Sequence, residues 1–230
     1  IKSGTYTGGL DVVKSEEGST LVISGGKFEL NYAKKWAFNA VILVYGDTTI
    51  TGGEFINNAK TTSSYPQVVM TGIVEGYTPI TRITGGTFTN NFNGTKSGIL
   101  WALGDATADN FEVSGGTFNK QVDESYCADG FIPTKNADGT YGVKEGMYVA
   151  KVGSKKYETL ADAIRLAAKG KTITLLANVT EDVTIAKNLT LDLDGKTLTN
   201  TNSGKATLTI AAGATVTVKN GTIVGGTSYY

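Results

Sequence analysis

ISGGKF (Ile23 to Phe28), ITGGEF (Ile50 to Phe55), ITGGTF (Ile83 to Phe88) and VSGGTF (Val113 to Phe118) are one phrase written four times. Their glycine pairs, Gly25-Gly26, Gly52-Gly53, Gly85-Gly86 and Gly115-Gly116, begin at steps of 27, 33 and 30 residues. A period of that size reads as a coil stacked on its neighbours, as in a solenoid, and not as an enzyme motif. The paired glycines suit a sharp corner, often with positive φ, where a Cβ would clash. The aromatics that follow, Phe28, Phe55, Phe88 and Phe118, then fall at equivalent places on successive coils. At the strand spacing of about 4.8 Å they form an internal ladder, each buried ring contributing about 2–3 kcal/mol.

Working outward, each corner is preceded by an apolar strand, a Gly-containing turn and a second short strand. SGTYTGG (Ser3 to Gly9) reads as a fifth corner, with Tyr6 in the Phe position. Ala40 to Tyr45 (AVILVY) and Gly98 to Leu103 (GILWAL) carry large apolar residues on both side-chain parities, whereas a strand with one wet face should alternate. Either loops cover the outer face of those coils or that face is an interface. Lys60 to Pro66 (KTTSSYP) reads as a loop bulging from the third coil, the usual place for binding residues in a solenoid.

After Phe118 the pattern stops. Asn119 to Gly146 contains a hairpin signal, with the turn at Asn136 to Gly139 between FIPT and TYGV. It reads as a cap, because the last coil of a solenoid exposes unpaired backbone and an apolar cross-section. A short hairpin over Tyr148 to Tyr157 follows, and then a helix over Leu160 to Lys169, with Thr159 as N-cap, Asp162 completing a capping box and Gly170 at C′. Leu160, Ala163, Ile164 and Ala167 form its apolar stripe. TITLL (Thr172 to Leu176), Val183 to Ile185, Leu189 to Leu193 and Leu208 to Val218 restart a coil pattern. The domain expectation is therefore 1–145 as the final coils and end cap of one β-helix, and 146–230 as the start cap and first coils of a second. Coils, end cap, start cap, coils is the reverse of one complete β-helix. This order suggests one period cut from a tandem array, or a subunit that completes its neighbour's solenoid. Ile1 is neither an initiator Met nor the start of a signal peptide, so a processed protein or a piece of a larger one is expected.

Composition narrows the function classes. Thirty glycines against three prolines, with abundant Thr, Val and Ile, describe an all-β chain of short strands. Lys plus Arg equals Asp plus Glu at 21 each, so no basic field favours nucleic acid or an anionic membrane. Histidine is absent, which excludes Ser-His-Asp and Cys-His chemistry. The single Cys127 makes no intrachain disulfide. No apolar run reaches the roughly 18–20 residues of a membrane span.

The GGTF corners, SYCADGF (Ser125 to Phe131), DGTYGV (Asp138 to Val143), KYETLADAI, TITLLANVTEDVTI and LTLDLDGKTLT together resemble the right-handed parallel β-helix domains of large, repetitive cell-surface proteins of Gram-positive bacteria. The resemblance covers nearly the whole chain. It implies three strands per coil, an exported, surface-associated setting and adhesive or structural roles. Pectate-lyase-like enzymes share the fold, but fold alone does not transfer their chemistry.

Candidate sites are few. Asp192 and Asp194 in LDLDG share one strand face and are weak candidates for Ca²⁺, which needs more oxygens than this pair supplies. Asp109, Glu112, Asp123, Glu124 and Asp129 contain enough carboxylates for a glycosidase pair, although scattered surface acids read more simply. Cys127 could be a nucleophile, but without histidine and inside a cap phrase it reads as a small buried residue. Trp36, Tyr45, Tyr65, Tyr77 and Trp101 are the aromatics suited to stacking on a sugar or a protein partner. The expectation is a non-catalytic structural or adhesive module with no required cofactor, binding copies of itself end to end and, through its loops, host or cell-wall glycans or surface proteins. The alternatives are a Ca²⁺-dependent polysaccharide lyase or glycosidase, and a carbohydrate-binding module.

Overall fold

A computed structural model of the chain describes residues 1–32, 38–60, 66–94, 98–202 and 204–225. It divides into two compact units, Ile1–Glu145 and Gly146–Tyr230. The described residues are mostly strand, arranged in parallel sheets with one short α-helix, an all-β organisation compatible with a β-helix-like fold.

In the first unit the strands recur in threes. Thr5–Gly8, Lys27–Leu30, Glu54–Asn57, Thr87–Asn90 and Thr117–Phe118 pair in parallel as a corner sheet. Asp11–Ser15, Ala40–Val44, Gln67–Gly72 and Leu100–Leu103 form a second sheet. Thr20–Ile23, Asp47–Ile50, Thr81–Ile83 and Phe111–Val113 form a third. Each strand pairs with its counterpart one phrase later, so the repeated phrase sets the register. Phe28 aligns with Phe55, Phe55 with Phe88 and Phe88 with Phe118. Their rings, with Tyr6 first, stack at 4.9, 5.0, 4.8 and 5.1 Å between centroids.

The two glycines of each corner answer two different needs. Gly26, Gly53, Gly86 and Gly116 have φ of 105, 112, 106 and 106°, where a side chain is strained. Gly25, Gly52, Gly85 and Gly115 do not. A Cβ on Gly52 would lie 2.6 Å from the Ser24 carbonyl oxygen, and the other three would meet Lys2, Thr51 and Thr84 in the same way. Positive φ therefore explains the second glycine, and close passage over the previous coil explains the first.

Beside the ladder runs a row of amides. Asn57 Nδ2 donates to Asn90 Oδ1 at 3.0 Å and to the Pro66 carbonyl at 2.9 Å, and the Asn57 Oδ1 accepts from the Ala59 amide. Asn90 repeats the pattern toward Phe92 and Gly98, and Asn119 Nδ2 donates to the Asn90 carbonyl at 3.2 Å. Fully buried Asn57 and Asn90 thereby satisfy backbone groups where the chain leaves each corner strand.

The first unit ends in the antiparallel hairpin Phe131–Lys135 and Tyr141–Glu145, with Tyr141 paired to Phe118 at the end of the corner sheet. Cys127 bridges Val113, and the Ala128 amide donates to the Val113 carbonyl at 2.9 Å, so SYCADGF covers the end of the third sheet.

The second unit begins with the hairpin Ala150–Val152 and Lys155–Tyr157, whose first strand pairs antiparallel with Thr172–Leu175. The helix spans Leu160–Leu166, shorter than Leu160 to Lys169, because Ala167 turns extended (φ −62°, ψ 136°). Thr159 Oγ1 accepts from the Asp162 amide as expected. Asp162 closes no box, since its carboxylate binds Arg165; Glu181 instead accepts from the Leu160 and Ala161 amides at 2.8 and 2.9 Å. Lys187 Nζ takes the Ala167 carbonyl at 2.6 Å, finishing the other end. Leu160, Ala163 and Ile164 bury against Ile173, Leu175, Val183 and Ile185 within one core cluster. Beyond it, Thr172–Leu175, Leu189–Asp192 and Val216–Lys219 pair in parallel, as do Val179–Thr180, Thr197–Thr199 and Thr222–Val224, and Val183–Ile185 with Leu208–Ile210.

Candidate functional site

The expected binding aromatics do not form one group. Tyr45 and Trp101 pack, half-buried, against a small cluster of Ala40, Leu43, Met70 and Leu103 that is separate from the main core. Lys14, Leu43, Met70 and Trp101 stand in register on that side of the second sheet. This explains the two-sided apolar strand Ala40–Val44: alternate residues serve two clusters. The Tyr45 ring lies over Gly72, where a Cβ would come within 2.5 Å of Cε1, and Lys14 Nζ sits 5.4 Å from the ring centroid. Tyr77 belongs elsewhere. Its hydroxyl donates to Asp47 Oδ2 at 3.0 Å, and the Ile80 amide donates to Asp47 Oδ1 at 2.9 Å. The Ile80 amide, with Tyr77, holds the Asp47 carboxyl below its ordinary range, while burial and Asp47 push the Tyr77 phenol up. That pair fastens a loop. Trp36 and Tyr65 lie outside the described residues.

Asp192 and Asp194 do not share a strand face, because the strand ends at Asp192 and Asp194, with φ of 45°, turns the corner into Gly195. Asp192 Oδ1 accepts from Asn220 Nδ2 at 3.0 Å and the Asp194 amide at 3.1 Å, and Oδ2 pairs with Lys219 at 3.2 Å. The Asn220 amide, before the Asp194 amide and Lys219, holds the Asp192 carboxyl low. Its oxygens thus join two successive coils. Among the described residues no group of three or more Cys, Asp or Glu is placed to hold a metal ion.

The acidic segment surrounds a cavity of about 500 Å³ lined by Asp109, Phe111, Glu112, Ser125, Cys127, Ala128 and Asp129. Two acids of the segment have structural partners: Glu112 binds Arg82 at 2.8 Å, and Asp123 accepts from the Ser125 amide at 2.9 Å. Burial, reinforced by Glu124 and Asp123, pushes the Cys127 thiol up to about 11. A thiol so placed is protonated at neutral pH and a poor nucleophile.

Among the described residues, each unit has outermost strands at one end that no further strand covers. Thr5–Gly8, Asp11–Ser15 and Thr20–Ile23 are the outermost strands of the first unit's three sheets, at the end away from its hairpin. Leu208–Ile210, Val216–Lys219 and Thr222–Val224 are outermost in the second unit, at the end away from its helix. Apolar side chains surface there: Tyr6 is 36% and Val22 50% exposed, Ile210 47% and Ile223 39%, against 0% for Phe28 one coil inward of Tyr6. Tyr stands in the Phe position at this end because its hydroxyl donates to the Ser3 carbonyl at 2.8 Å.

Reasoning from sequence missed the asparagine row and the Glu181 cap. The signal for the first was present, as Asn-Asn follows the corner aromatic in EFINN and TFTNN. Glu181 lies 21 residues from the amide it caps, and no local pattern marks it. Among the described residues no helix is long and apolar enough to cross a membrane. Comparison with known proteins finds no matching family model, no matching curated protein and no matching solved structure.

Proposed function

We propose that the chain is a non-catalytic structural and adhesive module of a bacterial surface protein, a right-handed parallel β-helix of the pectate-lyase-like kind that joins further copies end to end. The observation that carries this reading is that, among the described residues, each unit has a hairpin or helix at one end and uncovered outermost strands at the other. In the first unit those strands belong to the first coil and in the second to the last described coil. Open parallel edges are templates for another chain, and a stack of repeats needs either a cap or a neighbour there. The likeness of the corner and cap phrases to exported Gram-positive proteins supports a surface setting, with glycans or surface proteins met at the loops.

Light scattering and electron microscopy of the 230-residue chain test the reading. Concentration-dependent rods are expected, and isolated monomers at every concentration would sink it. Acidic and neutral polysaccharides incubated with and without EDTA test the absence of catalysis, where calcium-dependent product would overturn it. Carbohydrate binding is a second reading, favoured by the half-buried Tyr45 and Trp101 on one side of the second sheet. A glycan array shows whether any sugar binds and whether Trp101→Ala removes it.

A further inference from the structure

End-to-end association leaves undecided which edge meets which. The second unit's last described coil and the chain's first residues carry one phrase: VKNGTIVG (Val218 to Gly225) and IKSGTYTG (Ile1 to Gly8) share Lys, Gly, Thr and Gly at matching places. Val matches Ile and Asn matches Ser, both close in chemistry. Each phrase turns a corner and enters the outermost strand of its unit. Resting on the end-to-end reading, we infer that Val218–Gly225 of one copy receives Ile1–Gly8 of the next in parallel register, Ile223 beneath Tyr6 and Val218 beneath Ile1, so that copies join head to tail only.

Two observations fix the register. The amide that opens each corner strand donates to the carbonyl just before the matching strand one coil earlier: Lys27 to Gly4 at 2.8 Å, Glu54 to Gly26 at 2.9 Å, and in the second unit Thr222 to Lys196 at 3.1 Å. The next donor in that series is the Thr5 amide of another copy, aimed at the Gly221 carbonyl. Ile1 is likewise already a coil position, since its carbonyl accepts from the Ser24 amide at 2.9 Å as that of Ile23 accepts from Thr51 at 2.8 Å. Val218 occupies the corresponding place in the second unit, five residues before Ile223 as Ile1 is before Tyr6.

Polarity points the same way. A first coil set on a last coil continues parallel pairing, whereas two like ends facing each other across a two-fold axis would pair antiparallel, so the contact is heterologous and generates open filaments. In this register Asp11–Ser15 belongs to the following coil, so the join rests on the corner and third sheets. Lys2 and Lys219 become neighbours. Lys219 is already held by Asp192 at 3.2 Å, and added salt should screen the remaining repulsion and tighten association.

Crosslinking decides the register. Thr5→Cys and Thr222→Cys, each in a Cys127→Ser background, place thiols on outward positions that the proposed register makes adjacent. Strand spacing of about 4.8 Å is within disulfide reach. The mixture is expected to give disulfide dimers of one variant with the other under mild oxidation, and each variant alone is expected to give none. Dimers from either variant alone, or association by light scattering without the mixed crosslink, overturn this register while leaving end-to-end association standing. Absence of association overturns both. In the wild-type background Ile223→Lys is expected to weaken association at least about tenfold, as loss of a central apolar anchor does, with an unchanged circular dichroism spectrum; undiminished association of the folded variant overturns the register.

Discussion

At the residue scale, the corner phrase joins three separate constraints in six residues. The first glycine gives clearance from the coil below, the second supplies positive φ, and the aromatic fills the interior. Phe55, stacked between Phe28 and Phe88, has no space to collapse into. Phe55→Ala is expected to cost about 3–5 kcal/mol, measured by urea unfolding. Gly52→Ala should destabilise as Gly53→Ala does but for a different reason, steric contact and not backbone strain; the Gly53 φ of 112° lies beyond the left-handed helical region that Asn tolerates, so Gly53→Asn should be no milder than Gly53→Ala in the same unfolding measurement. Cys127 supplies a pH prediction. Its thiol pKa is raised in the fold from an ordinary 9.0 to about 11. The folded state therefore binds the proton more tightly, and this stability is complete below pH 9.0 and is lost as pH rises through about 11. Alkylation of native Cys127 at pH 8 should run about a hundredfold slower than in the unfolded chain, and a native rate equal to the unfolded one would contradict its burial.

At the element scale, strands of two to six residues cannot stand alone, and their order comes from stacking. The buried Asn57–Asn90 row is what lets the chain leave the corner sheet without orphaned backbone groups. Asn90→Leu removes donors and acceptors together inside the fold, so a loss of about 1–3 kcal/mol is expected, read from the urea midpoint with an unchanged slope. The helix illustrates distant capping. With Leu160 and Ala161 amides held by Glu181, Glu181→Ala should destabilise the second unit by about 1 kcal/mol, comparable with Thr159→Ala. The two-sided burial of Ala40–Val44 was visible in AVILVY as a broken alternation. Its cause, a second cluster around Leu43 and Met70, was not, because the neighbours come from strands about 30 residues apart.

At the scale of the whole molecule, each unit has its own apolar core: Phe28, Phe55, Phe88 and Ile50 in one, Leu160, Ile173, Leu191 and Leu198 in the other. Both tryptophans, Trp36 and Trp101, lie in the first unit. Tryptophan fluorescence therefore reports on the first unit alone, while far-UV circular dichroism reports on both. Leu191→Ala, at a site with 0% exposure, should shift the circular dichroism transition and leave the fluorescence transition in place. Equal shifts in both would mean that the two cores unfold as one cooperative system.

What the sequence determined by itself was repetition. Identical corner phrases at nearly constant spacing impose parallel, in-register stacking, because only that arrangement lets every glycine pair turn and every aromatic bury at once. The all-β class, the parallel sheets and the aromatic positions follow from that local chemistry. What the tertiary structure alone decided was where distant groups meet: Glu181 on the helix amides, Asp192 across to Asn220 and Lys219, Tyr45 over Gly72, and Tyr77 against Asp47. Those contacts join residues from different coils, and their partners depend on which side chains the stacking brings within hydrogen-bond or van der Waals range.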